Sequence, residues 1–222
     1  MCHYARTVGG PKLRNMTFQQ RGLMLKALAL HLQSKKEEYY KISWATGATR
    51  VDSWVDIEGG IGNLFTYASL RRQFPNETFC YDGEVARLSK NNTFIGHHIC
   101  VPKEGVAIHI NAFNFPIWGM LEKCAVNWMA GMPAVVLPAP ETAYLTEAVV
   151  REIIASNILP EGALQLISGT ARNIFDTVES QDVITFTGSA TTGRLLKSTL
   201  PVSSTAISMV AILLRLSCPS CC

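Results

Sequence analysis

Residues 105–123 read Gly-Val-Ala-Ile-His-Ile-Asn-Ala-Phe-Asn-Phe-Pro-Ile-Trp-Gly-Met-Leu-Glu-Lys. The apolar run Val106–Ile110 has the pattern of a strand entering a core. The chain then places the amide of Asn114 between Phe113 and Phe115 and follows it with Pro116. A buried amide is costly unless its donors and acceptors are met, so Asn114 is expected to have hydrogen-bond partners. From here the rhythm alternates. A helix is predicted over 117–130, an apolar strand over Pro133–Leu137, and an amphipathic helix over 142–156 with Leu145, Val149 and Ile153 on one face. A strand over Ala163–Ile167 closes at Gly169, a helical stretch follows over 171–179, and Asp182–Phe186 is another strand. Thr187-Gly-Ser-Ala-Thr-Thr-Gly193 then leads into a helix through Lys197. Apolar strands alternating with amphipathic helices imply an α/β fold, a parallel sheet covered on both faces. Such sheets bind ligands at the carboxyl ends of their strands.

Two strand ends carry candidate chemistry. At Gly188-Ser189, glycine permits close backbone approach and serine caps the next helix, whose free N–H groups attract an anion such as a phosphate. Simple capping explains the same residues. At Asn114, a rigid amide donor suits a developing oxyanion, and an asparagine that satisfies the turn before Pro116 is the alternative.

Upstream, Thr17 and Gln20 form a candidate capping box opening a long helical stretch. Leu25, Leu28 and Leu32 share one face, and Gly47 ends the pattern. A second helix is predicted from Asp52 or Ser53, with Trp54, Ile57, Ile61, Leu64 and Ala68 at helical spacing. The Gly59-Gly60-Ile61-Gly62 run lies inside that pattern and reads as a packing contact. Residues 94–110 read as a hairpin or two consecutive strands around Pro102–Gly105. His97 and His98 point to opposite faces of a strand, so no metal site is expected.

The composition, 48% hydrophobic and 17% charged over 222 residues, is that of a core-forming chain. A net charge of +3 without clustering argues against a nucleic-acid surface. The start lacks an apolar signal region, and the late apolar run Ala206–Leu214 is too short to span a bilayer. A cytoplasmic protein with no membrane partner is expected. Seven cysteines, an odd number, fit a reducing compartment. Cys124 reads as a packed thiol, and Cys218-Pro-Ser-Cys221 lacks a second pair for a metal.

The sequence resembles the aldehyde dehydrogenase superfamily. Ile108–Pro116 is similar to its strand-end motif, with Phe113 in place of the usual Trp. Lys123 falls on a family lysine, Ala130-Gly131 and Pro133–Val136 match the approach to a cofactor-binding strand, and Phe186-Thr-Gly-Ser189…Gly193 matches the cofactor loop. The similarity runs from about Thr17 to Lys197. It is closest to the dehydrogenase half of the bifunctional ring-opening proteins of phenylacetate degradation, which oxidise a CoA-linked semialdehyde.

The resemblance implies a Rossmann-like sheet of the aldehyde dehydrogenase type behind N-terminal helices, truncated. The expected layout is a cofactor-binding domain over 1–199, with helices in 17–75, a hairpin in 94–110 and the Rossmann-like part in 106–199, then a divergent tail over 200–222. It implies NAD or NADP as cofactor, a small-molecule aldehyde as substrate and self-assembly into a homo-oligomer. Asn114 and Lys123 are the implied catalytic residues. Phe113, Leu137, Gly169, Phe186, Thr187, Gly188, Ser189 and Gly193 are the implied cofactor residues. The chemistry is thiolate attack on the aldehyde, hydride transfer and thioester hydrolysis.

Three departures accompany it. Leu137 stands where the family has a ribose-binding lysine. No Asp or Glu follows Lys197 to act as general base. The family's catalytic cysteine belongs to a later domain. The chain is therefore expected to be inactive alone, the tail reading as a frameshift or truncation. The alternative is a non-enzymatic nucleotide-binding or oligomerisation fragment.

Overall fold

A computed structural model describes residues 1–169, 173–199 and 206–209. The chain opens with two short helices, α1 (Cys2–Tyr4) and α2 (Gly10–Arg14), joined by a π-helical turn, Ala5–Gly9. The capping box at Thr17 forms: its hydroxyl accepts from the Gln20 N–H at 3.1 Å, and the Gln20 side chain accepts from the Thr17 N–H at 2.9 Å. It starts α3 (Phe18–Ser34). Lys35 leaves helical geometry, so α4 (Lys36–Ser43) is a separate helix rather than a continuation. Gly47, with φ of +81°, ends the following 3-10 turn. The next helix, α5 (Arg50–Ser69), begins earlier than the sequence suggested because Thr49 and Asp52 make a second capping box.

Two strands, β1 (Cys80–Arg87) and β2 (Ile95–Cys100), form an antiparallel ribbon. A parallel sheet follows, built from β3 (Ala107–Ile110), β4 (Ala134–Leu137), β5 (Leu164–Leu166), β6 (Val183–Phe186) and β7 (Ala206–Met209) in the order β5-β4-β3-β6-β7. The connecting helices are α6 (Pro116–Met129) and α7 (Ala143–Ala155), and α8 (Ala190–Thr199) follows β6. The α/β architecture is thus the one the apolar strands required. Ile108, Val135 and Ile184 are fully or almost fully buried, because both faces of the central strands are covered. One face packs against α6 and α7, which α3 and α5 cover in turn, with Trp128, Leu121 and Leu64 in the shared cluster. The other holds a smaller cluster around Cys2, Ala5, Val106 and Ile174.

The expected hairpin over 94–110 does not form. The hairpin is β1 with β2, and β3 instead joins the parallel sheet. Val106, Ala107, Ile108 and His109 are all buried, and a two-stranded ribbon has no interior to bury them. Pro102 and Gly105, the latter at φ of +89°, let the chain change sheets. The helical stretch over 171–179 reduces, among the described residues, to one 3-10 turn at Phe175–Thr177. Most of the tail lies outside the described residues, but Ala206–Met209 pairs with β6. Among the described residues no helix is long and apolar enough to cross a membrane.

The glycines of α5 mark its crossing with α6. A Cβ on Gly60 would sit 3.1 Å from the Ile117 carbonyl oxygen and the Trp118 Cα, both backbone atoms that cannot rotate away. At Gly62 a Cβ meets nothing within 4 Å. Gly62→Ala is therefore expected to stabilise the chain by about 0.5–1 kcal/mol through helix propensity. Gly60→Ala should instead lose about 1 kcal/mol net, overpacking outweighing the same gain. Urea midpoints of the two variants check this, and equal shifts would refute the close-contact reading.

Candidate functional site

The carboxyl ends of β4, β3 and β6 lie side by side. Ile110 pairs in register with Leu137 on one side and Phe186 on the other. The pairing continues past the strands: the Asn111 N–H donates to the Leu137 carbonyl at 3.0 Å, and the Thr187 N–H donates to the Ile110 carbonyl at 2.9 Å. The two turns that leave this rim, 111–115 and 187–189, therefore start from neighbouring strands.

After β3 the chain turns through Phe115, in non-helical geometry, and Pro116 occupies the first turn of α6. The N-terminal N–H groups of Ile117 and Trp118 donate to Oδ1 of Asp56, at 3.0 and 2.7 Å. A carboxyl group from the buried stripe of α5 thus caps α6 from outside. Burial pushes the Asp56 carboxyl up to about 7 despite the two N–H groups, which favour its ionised form. After β6, Ser189 caps α8: its hydroxyl accepts from the Thr192 N–H at 3.1 Å, and the Gly193 N–H reaches the Ser189 carbonyl at 3.0 Å.

Between the two turns lies a cleft of about 630 Å³, lined by Val55, Ala112, Phe113, Asn114, Phe115, Trp118, Gly119, Glu122, Thr187, Gly188 and Ser189. The structure thus brings Phe113 and Asn114 together with Thr187–Ser189. Phe186 is buried behind the glycine; a Cβ at Gly188 would lie 2.4 Å from the Phe186 ring. Gly193 sits one turn into α8. Leu137, which ends β4, and Gly169, which follows β5, lie farther along the same rim and are not among the cleft-lining residues.

One expectation needs correction, and one residue lies away from the cleft. Asn114 is exposed in the cleft and makes no hydrogen bond to the described residues. The buried amide is Asn111, 5% exposed, with neither side-chain polar atom partnered among the described residues. The chain bends at residues 113–115, after Asn111, and Phe113 and Asn114 stand exposed outside the core. Lys123 does not line the cleft either. It is buried, and its ammonium donates to the Gly119 carbonyl at 2.8 Å and lies 3.6 Å from Glu122. Burial lowers its pKa, opposed by Glu122.

Beneath the rim, His109 is fully buried. It bonds through Nδ1 to the Thr185 hydroxyl, and the Asn127 amide donates to its Nε2 at 3.3 Å. The same amide donates to the Lys123 carbonyl at 2.8 Å. Nε2 is therefore the acceptor and Nδ1–H the donor, a neutral imidazole. Burial and the Lys123 charge push its pKa down to about 3.

Sequence reasoning missed Glu122, Asp56 and Asn111. Glu122 had a signal: it stands four residues after Trp118, whose indole N–H donates to it at 2.9 Å. Asp56 had one as well, as an acid beside Ile57 on the buried stripe of α5.

The chain is similar to known proteins in sequence and in fold. A model described as the aldehyde dehydrogenase family matches residues 2–211. The 3,4-dehydroadipyl-CoA semialdehyde dehydrogenase of Aromatoleum evansii is 39% identical over 196 residues, 88% of this chain and 38% of that protein. The 2,5-dioxopentanoate dehydrogenase of Saccharolobus solfataricus is 29% identical over 177 residues, 78% of this chain and 34% of that protein. The chain thus spans little more than a third of the length of these relatives. Among solved structures, an NADP-dependent enzyme of E. coli superposes with a TM-score of 0.76 at 18% identity, over 94% of this chain and 42% of that one. The glyceraldehyde-3-phosphate dehydrogenase GapN of Methanocaldococcus jannaschii, complexed with NADP, gives 0.71 at 20% identity, over 94% and 44%. By sequence, and with a fold that agrees, the chain belongs to the aldehyde dehydrogenase family.

Proposed function

We propose that this chain supplies the cofactor-binding part and the oxyanion donor of an NAD(P)-dependent semialdehyde dehydrogenase acting on a CoA-linked semialdehyde, as in phenylacetate degradation. One observation carries the reading: Asn114 and the Thr187–Ser189 turn line one cleft at the ends of adjacent parallel strands. The named activity of the Aromatoleum evansii relative supports the substrate class.

The residues present fit a nicotinamide dinucleotide. The α8 N-terminus offers N–H groups to an anion, and Gly188 lets the turn pack directly on the Phe186 ring, which takes the place of a side chain there. The Thr187 hydroxyl is buried without a partner among the described residues. Phe113 and Trp118 give the cleft its apolar walls. The bound cofactor supplies the hydride acceptor. The chain's own part is to orient and to stabilise charge. The Asn114 N–H₂, which has no other partner among the described residues, donates to the oxygen that becomes anionic when a thiolate adds to the aldehyde. One such donor supplies about 3 kcal/mol of transition-state stabilisation. Phe115 and Pro116 hold the turn, and Asp56 holds the helix behind it.

The nucleophile and the general base are assigned to sequence other than the described residues. Cys124 is fully buried and its thiol is pushed far up by burial, so it stays a thiol. This chain alone is expected to show no aldehyde oxidation above background with NAD or NADP. The ribbon β1–β2 exposes Tyr81, Val85, Ile95 and Ile99, which supports self-assembly through that surface.

Titration with NADH and NADPH, followed by nicotinamide fluorescence, tests the cofactor assignment. Saturable binding of at least one is expected, weakened about tenfold or more, or about 1.4 kcal/mol, in Gly188→Val. No saturable binding of either would sink the reading.

A further inference from the structure

The base of the β1–β2 ribbon places two cysteines face to face. Cys80 opens β1, Cys100 closes β2, and the two are direct partners in the antiparallel register. Directly opposed residues in such a ladder have Cα atoms about 4.5 or about 5.5 Å apart, according to the class of pair. Disulfides span about 4.4–6.8 Å between Cα atoms, so either class can be bridged without moving the backbone. Directly opposed side chains also share a face of the ribbon, and Cys100 is near enough to raise the Cys80 pKa. Both are free cysteines in this structure.

We propose that Cys80 and Cys100 are a thiol pair that closes reversibly into a disulfide when the chain meets a low-molecular-weight disulfide. The surroundings divide the work. Cys100 is exposed, whereas Cys80 is packed against the helical core cluster. Burial, Cys100 and Asp82 all hold the Cys80 thiol protonated. Cys100 therefore reacts first. Its thiolate attacks one sulfur of the oxidant RSSR, forming a mixed disulfide and releasing RS⁻. Cys80, losing its proton to solvent, then attacks the Cys100 sulfur and expels the second RS⁻. Two protein thiols are oxidised and one RSSR becomes two RSH. The other described cysteines have no such neighbour: Cys2 and Cys124 are buried in different parts of the fold.

The bond would staple the ribbon at its open end, beside the segment that crosses into β3. Because it closes the loop of residues 80–100, it restricts the unfolded chain more than the folded one. The folded ribbon is thereby expected to resist unfolding after oxidation and to lose that gain on reduction.

The test uses the intact chain. It is incubated with oxidised glutathione at neutral pH, alkylated and digested with trypsin. The expected product joins the peptides Gln73–Arg87 and Asn91–Lys103, two hydrogens lighter than their sum and released by dithiothreitol. Cys80→Ser should stop at the glutathione adduct on Cys100, and Cys100→Ser should show neither product at that peptide pair. A parallel reaction in urea should scatter the linkages among all cysteines. The proposal is overturned if the folded wild type stops at the adduct. It is equally overturned if Cys100 links to Cys218, Cys221, Cys222 or a second chain, or if folded and unfolded chains give the same mixture.

Discussion

Arg21→Met is expected to lower stability by about 3–4 kcal/mol, seen as a lower urea midpoint at unchanged slope. Arg21 is fully buried on α3, and among the described residues no carboxylate pairs with it. Its Nε donates to the Met129 carbonyl at 2.8 Å, and its Nη1 donates to the carbonyls of Met16 at 2.6 Å and Leu13 at 3.3 Å. Met129 ends α6 and Leu13 lies in the last turn of α2. The guanidinium thus sits at the negative ends of two helices and supplies donors for carbonyls that no helix can satisfy. The Phe18 ring lies under it, 4.5 Å from Cζ. Burial lowers its pKa only to about 10, so it stays charged at neutral pH. Methionine keeps the stem's packing and removes the cost of burying a charge, but leaves the Met129 and Met16 carbonyls without their donor, while the Leu13 carbonyl keeps the Met16 N–H. Arg21→Lys retains one centre of donors that cannot span the three, and should fall between. If Arg21→Met were neutral or stabilising, the desolvation of the guanidinium would outweigh its bonds, and its role as a clamp of α2, α3 and α6 would be refuted.

The legible parts of the fold are those whose cause is local. Val135, Val136 and Ile184 sit in short apolar runs that only a doubly covered strand explains. The Thr17 and Gln20 box is a four-residue interaction, and Gly188-Ser189 announces a strand-to-helix turn. The parts that stayed hidden depend on distant partners. β1 contains Asp82, Gly83 and Glu84, because a ribbon exposed on most of its length needs no apolar alternation, and its register slips between Asp82 and Ala86. The N-terminal turn through Gly9 forms where a Cβ would lie 2.1 Å from the Gly162 carbonyl oxygen, a contact across most of the chain. The site shows the same division. The motif marks Asn114 and Ser189, which share a cleft, but not that Asn111 is the amide left dry. Nor does spacing reveal that Asp56, sixty residues earlier, caps the helix behind the turn.

That cap leads to the second expected result: Asp56→Asn makes the chain acid-sensitive. Asp56 has its folded pKa raised from 3.8 to about 7, first by burial, against the pull of the Trp118 and Ile117 N–H groups. Between about pH 4 and 6.5 the folded state keeps a proton that the unfolded state has released, so this group alone makes stability rise as pH falls. His109 acts with the opposite sign. Its folded pKa is lowered from 6.5 to about 3, first by burial and then by Lys123. In the same window the unfolded state binds a proton that the folded state refuses, so this group alone makes stability fall with pH. The two proton counts cancel, and this pair contributes almost no slope in the wild type. Asparagine keeps the oxygen that accepts from Ile117 and Trp118 but cannot titrate. His109 is then unopposed, and stability should fall by about 2 kcal/mol from pH 6.5 to 4.5, the slope approaching about 1.4 kcal/mol per pH unit below the midpoint. His109→Gln should reverse the sign, the chain gaining stability over the same interval. Urea midpoints at several pH values for the three proteins decide the matter. Should Asp56→Asn track the wild type across the window, the carboxyl beneath the Asn114 turn is not held protonated, and its ionised form caps α6 instead.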